Sequence, residues 1–450
     1  MTRPRKKTPP PARPSARDLA LRLLGRVEEE DAFAEILLDR TLEREDLSPP
    51  DRRLLYELTL GVLRWQARLD HFLGQVTDRP VAKLDRTTRR VLRLGAYQLL
   101  MLEKIPAAAA VNEAVKLAPL HARPYVNAVL RSLSRQKDRL TLPDPETDPT
   151  ERIAVTESHP AWMVARWVRE LGAAEAEALC RANNSRPGLT LRVNTLRAAR
   201  EELLEKFREA GIAAEATSLS PLGIKVLQHA APRNLPGWAE GLFAVQDEAS
   251  QLVGMLLAAA PGERVLDACA APGTKSLQIA QALAGQGEVK ATDRNARRLG
   301  LLAKEARRLG LDPILVEPAD WTGAKELGPF DRILVDAPCS ALGTLRRHPE
   351  LKWRRRPEDF AALAELQKKI LVNVSRCLRP GGLLVYATCT YGQEENEEVV
   401  KELLESEEFA LADAAELLPA SARAAASRKI LRTWPHRHGT DGFTAHVLCQ

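Results

Sequence analysis

Two short segments in the last third of the chain combine residue types suited to covalent chemistry: Asp336-Ala337-Pro338-Cys339-Ser340 and Ala387-Thr388-Cys389-Thr390. A cysteine thiolate is a strong nucleophile and can carry a covalent intermediate. Each segment follows an apolar run, Arg332-Ile333-Leu334-Val335 and Leu383-Leu384-Val385-Tyr386. Such runs, bounded by turn residues, read as buried strands of a parallel sheet. In an open α/β sheet the carboxyl ends of the strands carry the ligand crevice. The pattern therefore delivers two cysteines and an aspartate to one site. Cys180, Cys377 and Cys449 lie in no such motif and read as small buried hydrophobes.

A third strand end lies upstream, Val265-Leu266-Asp267-Ala268-Cys269-Ala270-Ala271-Pro272-Gly273-Thr274-Lys275. It has no GxGxxG, but Ala268, Ala270, Ala271 and Gly273 are small enough for a ligand to approach backbone N–H groups at a helix start. An ordinary tight βα turn would look the same. Asp293 closes the next strand, 26 residues after Asp267, where an acidic side chain accepts hydrogen bonds from a ribose diol. Asp320 is a third acidic strand end. The residues alone suit either a nicotinamide dinucleotide or S-adenosylmethionine.

Together these three motifs resemble the RNA (cytosine-5) methyltransferases of the Sun/Fmu type, which use S-adenosylmethionine. The resemblance implies that the loop Cys269, Ala270, Ala271, Pro272, Gly273, Thr274 and Lys275 wraps the methionine part of the cofactor. It also implies that Asp293 binds the ribose and Asp320 the adenine amine. Of the catalytic residues, it makes Cys389 the nucleophile, Cys339 the residue that assists product release, and Asp336 the holder of the cytosine N3/N4 edge beside the cofactor. Lys275 is either a partner that stabilises thiolate or carboxylate or a plain ion pair. Two departures stand out. Thr274 occupies a position where the family usually has glycine, and Ala319-Asp320-Trp321 replaces a Gly-Asp-Gly-like turn.

Residues 1–15 are rich in Pro, Arg and Lys and read as a disordered basic tail. From 16 to 140 apolar residues recur at helical spacing, as in Leu19, Leu23, Leu24 and Val27, and strand-like alternation is absent. Leu94-Gly95-Ala96-Tyr97-Gln98-Leu99-Leu100 and Val126-Asn127-Ala128-Val129-Leu130-Arg131 resemble the NusB-like helical domain, which implies RNA binding. A Pro-rich acidic linker follows. Residues 150–240 read as helices and then a small α/β region that resembles an RNA-recognition-like appendage. From 241 to 450 strands at 264–268, 288–292, 313–317, 332–336 and 382–387 alternate with helices, and 443–448 reads as a last strand, antiparallel by the resemblance. Alternation of this kind predicts right-handed βαβ units. The expected fold is therefore α/β: a Rossmann-like class I methyltransferase domain preceded by an all-α NusB-like domain and a small α/β appendage.

The chain has 450 residues, 45% of them hydrophobic and 28% charged, with a net charge of +6. The tail from Arg3 to Arg17 holds six basic residues and no acidic one, which points to a polyanion partner. Arg346-Arg347-His348-Pro349-Glu350-Leu351-Lys352-Trp353-Arg354-Arg355-Arg356 interleaves an aromatic with cations and reads as a strand-binding surface. No apolar stretch is long enough for a membrane span and no signal peptide is visible, which places the chain in the cytoplasm. Sparse cysteines without CxxC argue for reduced thiols. His436 and His438 lack companion ligands, so no metal is expected. The resemblance implies a 16S rRNA (cytosine-C5)-methyltransferase, expected as a monomer acting on 16S ribosomal RNA or a small-subunit assembly intermediate. The rivals are a relative acting on tRNA or another rRNA site, and a non-catalytic RNA-binding assembly factor.

Overall fold

The computed structural model describes residues 13–450, apart from His229, Asp312, Glu326, Glu407 and Arg428. The basic tail expected over residues 1–15 lies outside the described residues up to position 12. The chain divides into two compact units.

The first unit comprises the residues up to Asn184 together with Arg347–Arg354. It is helical. Ser15 caps the opening helix Ala16–Glu29 through Asp18 N, and Asp85 caps Arg86–Met101 through Thr88 N, each satisfying an otherwise orphaned donor. Leu23, Leu55, Leu58, Leu92, Ala96, Val126 and Leu130 meet in one apolar core. Arg93 forks onto both oxygens of Asp70 at 2.7 and 2.6 Å, fastening two of the helices. The middle region expected over 150–240 is divided. Its helices Pro149–Thr156, Ala161–Leu171 and Ala173–Asn183 belong to this unit, and its sheet belongs to the other.

The segment Arg347–Arg354 corrects one expectation. It is not a strip of solvated cations. Lys352 is 0% exposed, and its ammonium donates to Arg64 O, Ser158 O and Asn184 Oδ1 at 2.8–2.9 Å. Trp353 Nε1 donates to Leu63 O, Arg354 to Ala32 O, and the buried Glu350 accepts from Ala34 N. The charged heads fill an inward set of carbonyl and amide partners that no local sequence pattern announces. Burial holds the Lys352 amine well below its ordinary range.

The second unit comprises Ser185–Arg346 and Arg355–Gln450. It opens with a four-stranded antiparallel sheet of β1 (Leu189–Val193), β2 (Ala214–Ala216), β3 (Gly223–Val226) and β4 (Phe243–Val245), in the order β2-β3-β1-β4. The helix Arg200–Glu209 covers it through Leu203 and Phe207. The larger sheet is built from β5 (Arg264–Asp267), β6 (Glu288–Asp293), β7 (Leu315–Pro318), β8 (Phe330–Asp336), β9 (Leu378–Thr388), β10 (Ala410–Leu411), β11 (Ala426–Ser427), β12 (Ile430–Arg432) and β13 (Thr444–Cys449). Its order is β11-β12-β13-β9-β8-β5-β6-β7, with β10 on β13. From β9 to β7 every pairing is parallel, while β13 runs antiparallel to β9. Both faces are covered, because alternate residues enter different cores: Val265, Leu334 and Val385 on one side, Leu266, Ile333, Val335, Leu384 and Tyr386 on the other. The α/β reading of this unit holds, and the short strands β10 to β12 are added to it.

Replacing Lys352 by Met should leave three buried acceptors without a donor and cost on the order of 2–4 kcal/mol of stability. Denaturant unfolding tests this against Lys304→Met on an exposed helix face, expected within about 0.5 kcal/mol of the parent. Equal stability of the two variants would refute the anchoring role.

Candidate active site

Five parallel strands end on one edge, and the residues singled out from sequence follow their order. Along β9-β8-β5-β6-β7 the strand ends bring Cys389, Asp336, Asp267, Asp293 and Asp320 in turn. The register is direct: Asp336 pairs with Ala387 on β9, and Asp267 with Leu334 on β8 and Ala291 on β6. β5 leads on to β6 on one side while its neighbour β8 leads on to β9 on the other, so the connections from these two adjacent strands leave in opposite directions. A crevice opens at such a switch point.

On the β5–β6 side the loop after Asp267 turns into the helix Thr274–Leu283. Gly273 caps that helix at φ +110°, a conformation that L side chains rarely adopt, and a Cβ there would lie 2.6 Å from Leu302. The loop is tied down by Ala270 N on Thr292 O (2.9 Å) and by Ala271 N on Asp293 Oδ2 (3.1 Å), while Asp293 Oδ1 accepts from Asn295 N. Thr274 causes no distortion of the helix start; its carbonyl accepts from the buried Arg192 at 2.9 Å. Asp320 is exposed and accepts from Thr322 N, which draws its carboxyl below the usual range. Trp321, in place of the small residue expected there, turns into the core, and its indole N–H donates to Thr292 Oγ1 at 2.9 Å.

Asp267 is 1% exposed. Ser276 Oγ donates to its Oδ2 at 2.6 Å, while its Oδ1 has no hydrogen-bond partner. Burial, followed by the nearby Asp336 charge, pushes this carboxyl up to about 7. An orphaned buried oxygen at a strand end, beside unpaired N–H groups of a helix start, fits a ligand that carries both cationic and anionic groups. The amino-acid part of S-adenosylmethionine, with its sulfonium, is such a ligand.

On the β8–β9 side Lys275 Nζ meets Asp336 Oδ2 at 2.7 Å and lies 4.9 Å from the centroid of the Phe443 ring. Lys275 is the more buried partner, with 7% of its side chain exposed against 30% for Asp336. Cys339 Sγ and Cys389 Sγ are 3.3 Å apart. The hydrogen bond to the neighbouring sulfur, reinforced by low solvation, holds the Cys339 thiol well above its ordinary range.

Several residues that hold this pair in place were not legible in the sequence. Glu395 is 0% exposed; its Oε1 accepts from Ser340 N at 2.8 Å and from Gln367 Nε2 at 3.0 Å. Burial raises its carboxyl. Gln367 also donates to Pro338 O. Arg355 donates to the carbonyls of Ser340 and Cys339, at 2.9 and 3.2 Å. Arg346, also expected in the strand-binding run, is buried against Asp441 at 3.0 Å. Gly343 N donates to Cys389 O and Gly442 N to Gly343 O, both at 2.8 Å. A Cβ on Gly343 would fall 2.0 Å from Gly442 O, so only glycine lets these loops close.

Family models match the chain in three stretches: 16S rRNA methyltransferase RsmB/F over residues 254–448, the NusB family over 14–135, and an RsmF/B-like ferredoxin-like domain over 159–232. A Synechocystis sp. protein named probable ribosomal RNA small subunit methyltransferase B is 37% identical over 436 residues, 95% of this chain and 98% of its own. The chain belongs to the 16S rRNA methyltransferase RsmB/F family. A Bacillus subtilis protein of the same name is 38% identical, covering 95% of this chain and 97% of its own. A solved structure described as PH0851 is 26% identical with a TM-score of 0.79, covering 99% of this chain and 100% of that one. The expected architecture is thereby present: a NusB domain, a ferredoxin-like appendage and a Rossmann-like methyltransferase domain. The cofactor of this methyltransferase is S-adenosylmethionine.

Among the described residues no three His, Cys, Asp or Glu side chains gather as a metal-ligand set. Among the same residues no helix is long and apolar enough to cross a membrane.

Asp267 generates a pH prediction. Its folded carboxyl titrates near 7 instead of 3.8, so the folded state holds the proton more tightly than the unfolded chain. Its contribution to stability is complete below the unfolded value and is lost as pH rises through the folded one. Asp267→Asn should therefore gain stability relative to the parent between acid and neutral pH. Urea unfolding in mildly acid and in neutral buffer, across the interval from 3.8 to about 7, checks this; a difference independent of pH would refute it.

Proposed function

We propose that this protein transfers a methyl group from S-adenosylmethionine to C5 of a cytosine in 16S ribosomal RNA, through a covalent bond between Cys389 and C6. The observation that carries the reading is the pair of sulfurs at 3.3 Å beside the Lys275–Asp336 ion pair, on adjoining strand ends. The names of the relatives, ribosomal RNA small subunit methyltransferase B, support the substrate.

C5 of cytosine is a weak nucleophile. Addition of the Cys389 thiolate to C6 forms a C6–S bond and breaks the C5–C6 double bond, whose electron pair moves to C5 as part of an enamine across C4 and C5. Asp336 holds the N3/N4 edge as the ring gains charge, and Lys275 keeps that carboxylate oriented and lowers the cost of negative charge nearby. The cofactor, when bound, supplies an electrophilic methyl group. Asp293 would receive the ribose hydroxyls, the loop Cys269–Lys275 would hold the methionine part, and Asp320 would hold the adenine end. The Asp267, Asp293 and Asp336 carboxyls favour a cofactor bearing a sulfonium. After transfer C5 carries both a methyl group and a proton. Loss of that proton and departure of Cys389 restore the ring, with the Cys339 thiol assisting. A base inside a helix cannot reach the sulfurs, so an unpaired nucleotide is the substrate of lowest cost.

Cys389→Ala should lose methyl transfer while calorimetry still detects cofactor binding. The assay uses tritiated S-adenosylmethionine with small-subunit rRNA and, in parallel, tRNA, followed by bisulfite sequencing of the product. Activity within about tenfold of the parent, a span of only about 1.4 kcal/mol, would remove Cys389 as nucleophile; methylation of tRNA alone would move the substrate to the rival class.

Asp293→Ala should weaken cofactor binding by about 1.5–3 kcal/mol, the scale of a hydrogen bond to a charged group. An unchanged dissociation constant would leave Asp293 as a tether of the Ala271 and Asn295 backbone only.

A further inference from the structure

We propose that Ser340 and Thr390, the residues that follow the two cysteines, are positioning residues for release of the methylated base. Their paired hydroxyls hold the two sulfurs at working distance. This rests on the reading of Cys389 as nucleophile and Cys339 as its releasing partner.

Ser340 Oγ and Thr390 Oγ1 are 2.8 Å apart, and both residues are 0% exposed. Two neutral hydroxyls withdrawn from water are costly unless they satisfy one another. Each sits one residue beyond a cysteine, so the bond spans the two loops next to the sulfurs. The remaining ties at this point run through backbone atoms. Gly343 N joins the loops at Cys389 O, Thr444 Oγ1 donates to Thr390 O at 2.8 Å, and Glu395 and Arg355 take the Ser340 N–H and the Cys339 and Ser340 carbonyls. The hydroxyl pair is the contact that side-chain replacement can delete while those ties remain.

The chemistry says which step feels the deletion. Addition of Cys389 to C6 forms one carbon–sulfur bond and needs only Cys389 and the held base. Release is different. The C5–H bond breaks and its proton passes to solvent water. Its electron pair rebuilds the C5–C6 double bond, and the C6–S bond breaks with its own pair leaving on Cys389 as thiolate. The Cys339 thiol stabilises that thiolate by an S–H donor hydrogen bond, which depends on the separation of the two sulfurs. Displacement by a few tenths of an ångström weakens a hydrogen bond and leaves the addition step untouched.

Thr390→Val keeps the branched shape and removes the hydroxyl; Thr390→Ser keeps the hydroxyl; Ser340→Ala removes its partner. Each is assayed with S-adenosylmethionine and small-subunit rRNA in single turnover, in multiple turnover, and on a denaturing gel for a protein–RNA adduct. Thr390→Val and Ser340→Ala should hold single-turnover transfer within about threefold. Their kcat should fall by about tenfold with KM for RNA little changed, the scale of one hydrogen bond used in one step, and they should accumulate adduct. Thr390→Ser should restore turnover without adduct. Normal turnover without adduct in Thr390→Val and Ser340→Ala, or transfer and release falling together, overturns the proposal. Cys339→Ala is the control. If it stalls as adduct while Thr390→Val does not, the hydroxyl pair alone is refuted. If Cys339→Ala itself turns over without adduct, the releasing role of Cys339 falls and the proposal falls with it.

Discussion

Everything at the active site depends on the parallel pairing of β5 with β8. This junction places a strand that leads toward the cofactor loop beside a strand that leads toward Asp336 and Cys339. The twist and spacing of a parallel sheet then fix the distance between donor and acceptor chemistry at about one strand separation, roughly 4.8 Å per step. Neither half needs long side chains to reach the other. Lys275, on the helix Thr274–Leu283, crosses the junction to Asp336 at 2.7 Å and so ties the two halves together. The sheet is buried on both faces by apolar layers, so the edge is a rigid platform while its loops differ in detail.

Electrostatics across that edge is uneven in a useful way. Asp267, Asp293 and Asp336 lie on neighbouring strand ends, and crowding with burial keeps Asp267 partly protonated at neutral pH. The cysteine pair sits on the other flank, where Cys339 is held as a thiol by its neighbour.

How much of this was legible follows from where each signal is written. Strand ends are written locally. The runs before Asp336 and Cys389 are apolar and β-branched on both faces, because a parallel sheet buries both, so β8 and β9 and their terminal residues could be placed in advance. Cap and loop residues such as Gly273 carry the same local information. Residues that support a loop from a distance do not. Glu395, Gln367 and Arg355 look like surface residues of helices and turns until the chain folds and presents the Ser340 peptide to them. The run from Arg346 to Arg356 failed for the mirror reason. Its composition is that of a solvated basic strip, but carbonyls of Arg64, Ser158 and Leu63 lie far off in sequence, and nothing local shows that Lys352 and Trp353 will meet them.

That run also has a bearing on how the chain can be divided. It leaves the Cys339 loop after Arg346, spends eight residues as part of the helical unit, and returns at Arg355 to grip the carbonyls of Cys339 and Ser340. A fragment beginning at Ser185 would keep Lys352 and Trp353 but lack their acceptors Arg64, Ser158, Asn184 and Leu63. An ammonium and an indole seated in a dry setting would then be loose in water, 13 and 14 residues beyond Cys339. Eight residues that interrupt the methyltransferase portion thus belong to the fold of the helical unit, and shuffling the two portions between relatives would have to move this insert and its receptor together.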